Sequence, residues 1–229
     1  MRNDVRHTRL KLLAALAAPT LLGAIGVHGL GSLPATFLLY AAGGCVLVPW
    51  LLLGARLPAG RGGLPFAPKA ARAWRGEAAL AVLFGPVFLA IYAGVRPWLG
   101  PISDYRTRAA ALGLDLGEPF AWLLLFAVFN PWLEEWWWRG QATPRCCAAF
   151  GRGPGLALVT GAFAAWHMVL LGALFPWPLM LARVVLIAAA SLLWSRLALA
   201  RGSWRATWVA HLAADLAMVA LFVLVVMPR

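Results

Sequence analysis

The chain reads as an all-α integral membrane protein, a polytopic bundle of about seven transmembrane helices with its N-terminus in the cytoplasm. Three observations predict this. Of the 229 residues, 62% are hydrophobic and only 12% charged, whereas soluble domains run roughly 45–50% apolar and about 25% charged. The apolar residues gather into runs near the ~20 residues that a helix needs to cross a bilayer. The 20 Lys and Arg, against 8 Asp and Glu, fall mainly on one side of those runs, as basic residues do in cytoplasmic loops. Disorder is excluded, because a disordered chain is poor in the residues that abound here. Collagen-like and disulfide-scaffold classes fall away as well: Gly shows no three-residue period and there are three Cys. The net charge of +12 does not imply nucleic acid, since no basic run outside the apolar segments carries a stacking platform.

The N-terminus, Met1-Arg2-Asn3-Asp4-Val5-Arg6-His7, precedes an apolar stretch from Leu12 to Leu30. Signal peptides begin in the same way. This run is long enough to span and no small-residue cleavage site follows it, so it is read as a retained first helix. Six further spans are expected at about 34–55, 78–95, 119–139, 155–175, 178–195 and 205–227. Pro176-Trp177-Pro178 forces the fifth and sixth into a tight hairpin. With the N-terminus inside, fifteen of the basic residues lie on the cytoplasmic side. Arg96, Arg106, Arg108 and Arg229 lie outside, and Arg183 lies within the sixth span with no evident role. Residues 56–77 read as a cytoplasmic linker, and 96–118 as a loop with a short interfacial helix. Cys45 sits in an apolar run and Cys146 and Cys147 are adjacent, so buried or loop thiols are expected rather than a disulfide. His28 is expected at the outer interface.

Ionisable residues inside apolar helices cost several kcal/mol unless paired, and so point to function. Glu134, Glu135 and Asp215 lie in predicted spans, as do His167 and His211. Glu135 and Arg139 are four apart and share a helix face. Glu134 points about 100° away, freer to project into the bundle. Pro131 removes a backbone bond just before the acids. Trp136, Trp137 and Trp138 suit the interfacial aromatic belt. His211 and Asp215 form a second i, i+4 pair, able to orient one another or to share a water or a metal. Measured from the cytoplasmic side, Glu134 lies roughly 10–15 Å deep, His211 about 10 Å, Asp215 about 15 Å and His167 about 18 Å. A modest tilt brings all four to one level, where they form a site able to activate water.

Glu134-Glu135-x-x-x-Arg139, Phe163-x-x-x-His167 and His211-x-x-x-Asp215, in that order on successive spans, resemble the three motifs of the CAAX protease and bacteriocin-processing (CPBP) family of intramembrane endopeptidases. The resemblance covers about residues 119–220, the catalytic half of what is read as a single membrane domain over 1–229. It implies Glu134 as the general base that activates water together with His167. His211 and Asp215 would stabilise the oxyanion or hold the water, and Glu135 and Arg139 would be the supporting pair, with Phe163 beside them. The prenyl proteases of the family usually carry Asn where this chain has Asp215. An ionised Asp cannot donate to an oxyanion, so here its task is either to orient His211, to bind a metal, or to act protonated. Zinc at the Glu/His cluster is one option and a metal-free glutamate mechanism the other.

The reading is therefore hydrolysis of a peptide bond near the membrane-embedded or C-terminal end of a protein, or in a leader peptide. The partners it implies are a membrane protein or peptide substrate and the lipid bilayer. Abundant Ala, Leu, Arg and Gly suggest a bacterium and its inner membrane, with a myxosortase-like member of the family among the options. Two other classes stand behind it: a non-catalytic membrane scaffold or immunity factor that keeps the polar cluster for folding, and a proton-coupled transporter.

Overall fold

The computed structural model describes residues 2–55, 101–113 and 119–221, and between them residues 86, 87, 89, 90, 93 and 94. The described residues contain helices and no strand. The expected linker 56–77 lies outside them, and of the expected span 78–95 only those six residues are described, all helical. Helix α1 comprises Arg2–Ala24 and continues through a π-helical turn, Ile25–Gly29. Helix α2 joins Leu33–Leu38, the π-helical Leu39–Leu47 and Val48–Leu53. Helix α3 is the short Ile102–Ala111. Helix α4 joins Pro119–Glu134, the π-helical Glu135–Ala142 and Thr143–Phe150. Helices α5, α6 and α7 are Arg152–Leu174, Trp177–Arg201 and Arg205–Leu221. Four of the described helices are long and apolar enough to cross a membrane: Val5–Gly29, Leu33–Leu53, α5 and α6. The protein is a helical membrane bundle.

The turns follow local chemistry. Ser32 caps α2 by accepting from the Ala35 amide at 3.3 Å, with Pro34 in the first turn, where its missing N–H costs nothing. Helix α4 does not stop at 139 but runs on to Phe150, where Gly151 at φ +88° breaks it before α5. Only glycine takes that conformation without strain. Pro176 and Pro178 bracket the α5–α6 turn, and the two helices pack along their length as a hairpin. Within the 96–118 loop the structure has the short helix α3. It is tied to the start of α2 by Leu33 N–H donating to the Leu112 carbonyl at 2.8 Å, and to the α5–α6 turn by Tyr105 against Phe175. Arg183 lies over the Phe175 ring, 3.8 Å from its centroid, which gives this intramembrane cation an aromatic face. His28 is exposed, Cys45 and Cys146 are buried, and all three thiols are free.

Helix α4 is the centre of the bundle. Its first part packs on α7, its π segment meets α6 and α7, and its last part lies on α5 and α1. Trp136, Trp137 and Trp138 are all buried, at 1%, 0% and 0% exposure. Consecutive helical residues point about 100° apart, so three in a row are buried only when neighbours surround the helix. The expectation of an interfacial belt is corrected here: these indoles are core. They join Tyr40 of α2, Leu12 and Leu16 of α1, and Phe163 and Trp166 of α5. Leu38, Leu51, Val185 and Leu193 point outward, as side chains facing lipid tails should.

Helix α1 and α2 approach closely at Gly44, where an added Cβ would stand 2.6 Å from Pro19 Cα. Small residues permit such approaches between membrane helices. Gly44→Ala should therefore destabilise the bundle by about 1–3 kcal/mol through overpacking. Gly161→Ala should be nearly silent, because a Cβ there meets nothing within 4 Å. Thermal unfolding of the two variants in detergent measures the difference.

Candidate active site

Helix α4 delivers the acids. Pro131 interrupts its hydrogen-bond ladder, and from Glu135 the backbone takes the wider π-helical turn, a feature that recurs at functional sites. Both carboxylates turn inward and are buried, Glu134 at 1% and Glu135 at 0% exposure. Arg139 Nη1 lies 2.9 Å from Glu135 Oε1, as the i, i+4 spacing requires. The guanidinium is sandwiched by aromatic faces, with its carbon 4.4 Å from the Phe163 centroid and 5.2 Å from that of Trp194.

Helix α7 delivers His211 between the two acids. Its Nδ1–H donates to Glu135 Oε1 at 2.9 Å, while Nε2 stands 3.4 Å from Glu134 Oε2 and 3.7 Å from Asp215 Oδ1. Glu134 and Glu135 thus bracket one imidazole from opposite edges. Trp194 lies against the ring at 4.8 Å, and Phe163 meets it edge-on at 6.4 Å. His211, Glu134, Glu135, Arg139 and Asp215 form one connected cluster.

His167 stands beside that cluster rather than within it. Its Nδ1–H donates to the Phe163 carbonyl at 2.9 Å, and its ring lies 4.4 Å from the Phe163 ring. That bond fixes the tautomer with Nε2 as the basic nitrogen. Phe163 touches Arg139, His167 and His211 at once and so sets their spacing.

Glu134 is not free in the way the helix geometry suggested. Tyr40 of α2, wholly buried, donates its hydroxyl to Glu134 Oε1 and accepts from Trp138 Nε1–H at 3.2 Å. Its ring stacks on Trp166 with centroids 3.7 Å apart. Sequence reasoning missed Tyr40 and Trp194. The available signal for the first was a lone phenol inside the apolar run 34–55; for the second there was none.

Three carboxylate oxygens, Glu134 Oε2, Glu135 Oε2 and Asp215 Oδ2, are buried without a hydrogen-bond partner, as is Asn130 Oδ1 just before them on α4. Buried acceptors are normally satisfied, so this is a set of lone pairs with room in its chemistry for a polar molecule. Among the described residues no three His, Cys, Asp or Glu side chains meet as a group that would hold a metal. Both ring nitrogens of His211 face carboxylates and Glu135 Oε1 is engaged by Arg139 and His211.

No curated protein and no solved structure matches the chain. Residues 116–217 match the model of a family described as type II CAAX prenyl endopeptidase Rce1-like. That stretch contains Glu134, Glu135, Arg139, Phe163, His167, His211 and Asp215, and over it the chain is similar to that family.

Proposed function

We propose that this protein is an intramembrane endopeptidase in which Glu134 activates water against a peptide bond at the membrane-embedded or C-terminal end of a protein, or in a leader peptide. One observation carries the reading: of two adjacent buried acids, Glu135 is committed to Arg139 and His211, whereas Glu134 keeps Oε2 without a hydrogen-bond donor beside His211. A structural ion pair needs one carboxylate. The second, held through its other oxygen by Tyr40, is oriented for work on a water.

The proposed steps are these. A water beside Glu134 Oε2, with His167 Nε2 as the second basic atom, loses a proton to the carboxylate as its oxygen adds to the scissile carbonyl carbon. The tetrahedral intermediate carries an oxyanion. His211 has Nδ1–H committed to Glu135, and with a second proton on Nε2 it becomes the donor to that oxyanion. Asp215, at 3.7 Å from Nε2, orients the ring and does not serve as a donor itself. Glu134 then returns its proton to the leaving nitrogen, and the C–N bond breaks to give an acid and an amine. General acid–base catalysis of this kind supplies roughly 10²–10⁴-fold.

Co-expression with tagged membrane substrates from the same genome, followed by mass spectrometry of substrate length, tests the reading. Glu134→Gln should lower cleavage by about 10²–10⁴-fold with expression and melting temperature retained. Intact substrates with wild type and variant alike across the panel would favour a scaffold. Tyr40→Phe keeps the stacked ring and removes one hydrogen bond to a charged group, of the order of 1.5–3 kcal/mol. It should lower kcat by about 10–100-fold with KM little changed. An equal rise in KM would show that Tyr40 acts on substrate binding instead.

A further inference from the structure

Away from the site, where α1, α2 and α4 meet at the end bearing the N-terminus, the bundle opens a cavity of about 730 Å³. Three of its lining residues are cations, Arg9, Lys11 and Arg145, and among the described residues no acid lines it. The rest of the wall is largely apolar, with Leu12, Leu52 and Leu53 among its residues. Two of the cations are held in place. Arg9 Nε–H donates to the Ala149 carbonyl at 3.0 Å with its guanidinium over the Phe150 ring, and Arg145 Nη1 donates to both oxygens of Gln141. These anchors use one nitrogen of each guanidinium and neutralise neither charge. In sequence, the chain that follows Leu53 brings Arg56 and Arg61 before its first acid, Glu77.

Three like charges around one cavity repel unless an anion sits among them. The distribution of Lys and Arg assigns this end to the cytoplasmic side, at the depth of the lipid headgroups. Basic pockets between membrane helices on that side suit phosphate headgroups, and the leucines suit the acyl chains attached to them. We propose that this cavity binds an anionic phospholipid of the cytoplasmic leaflet, its phosphate between Arg9, Lys11 and Arg145 and its upper acyl chain along Leu12, Leu52 and Leu53.

The test uses the purified full chain in detergent, titrated with phosphatidylglycerol, with phosphatidylcholine or with inorganic phosphate. Binding is read by native mass spectrometry and by the shift in melting temperature. Phosphatidylglycerol should be retained and should raise the melting temperature; the other two should do neither. Lys11→Met, which keeps the aliphatic stem, and Arg145→Gln should each weaken binding about fivefold. Arg201→Gln, at the exposed end of α6, should leave it unchanged. Lys11→Met carries the decision if Arg145→Gln melts early for loss of its Gln141 contacts. Equal loss in Arg201→Gln would reduce the effect to diffuse surface charge and overturn the site. Equal binding of phosphatidylcholine would overturn the role of the cations, and reproduction by inorganic phosphate alone would replace the lipid with a soluble anion.

Discussion

Burying Glu135 and Arg139 together, with neither side chain exposed, is the constraint around which the rest of the bundle is arranged. The idealised cost of moving one such ion into a low-dielectric medium is of order 20 kcal/mol, and several kcal/mol remain after relaxation. The attraction between the two offsets this only when geometry is good and the surroundings are polar or polarisable. Here the surroundings are supplied piece by piece. His211 donates to the carboxylate, and the faces of Phe163 and Trp194 cover the guanidinium. Those contributions come from three helices, α5, α6 and α7, so satisfying one ion pair requires the bundle to close around α4. The buried Trp136–Trp138 run states the same requirement in apolar terms.

The acids come from consecutive positions, and a regular helix would send them apart. Two local departures from the α-helix bring their oxygens onto one imidazole. Pro131 loosens the ladder of α4, and the π turn begins at Glu135. Opposite it, Tyr40 lies within the π-helical part of α2. A π turn inserts one residue into a helical repeat and swings side chains onto a face they would otherwise miss. The hydrogen bond from Tyr40 to Glu134 thus joins the π-helical segment of α2 to the residue just before the π turn of α4, one from each half of the chain. The second half supplies every residue of the recognised motifs, but the orientation of Glu134 depends on the first.

How much of this could be read in advance depends on the range of each interaction. The membrane class and most helix limits follow from apolar runs and turn residues, which are local signals. So do Glu135–Arg139 and His211–Asp215, because four-residue spacing fixes a shared helix face. Tyr40 is separated from Glu134 by 94 positions, and no periodicity links them; only packing does. Trp194 is hidden for the same reason, one indole in an apolar helix until Arg139 and His211 are seen against it. The Trp136–Trp138 run misled for a different reason. An indole suits both a membrane interface and a core in which its N–H finds a partner. Trp138 finds one in the Tyr40 oxygen, a partner that the local sequence does not contain.

The departure at position 215 follows from the same electrostatics. An Asn there would offer an N–H to an oxyanion directly; Asp, when ionised, offers only acceptors. In this chain Asp215 lies on the imidazole edge that also faces Glu134. Glu135 holds one edge of the ring and fixes its orientation, while Asp215 and Glu134 flank the other. Carboxylates therefore stand on both sides of the ring. On the mechanism proposed above, His211 is the oxyanion donor and Asp215, one turn further along α7, orients it. The proposed oxyanion donor would then stand four positions before Asp215, with the proposed acid–base role of Glu134 unchanged.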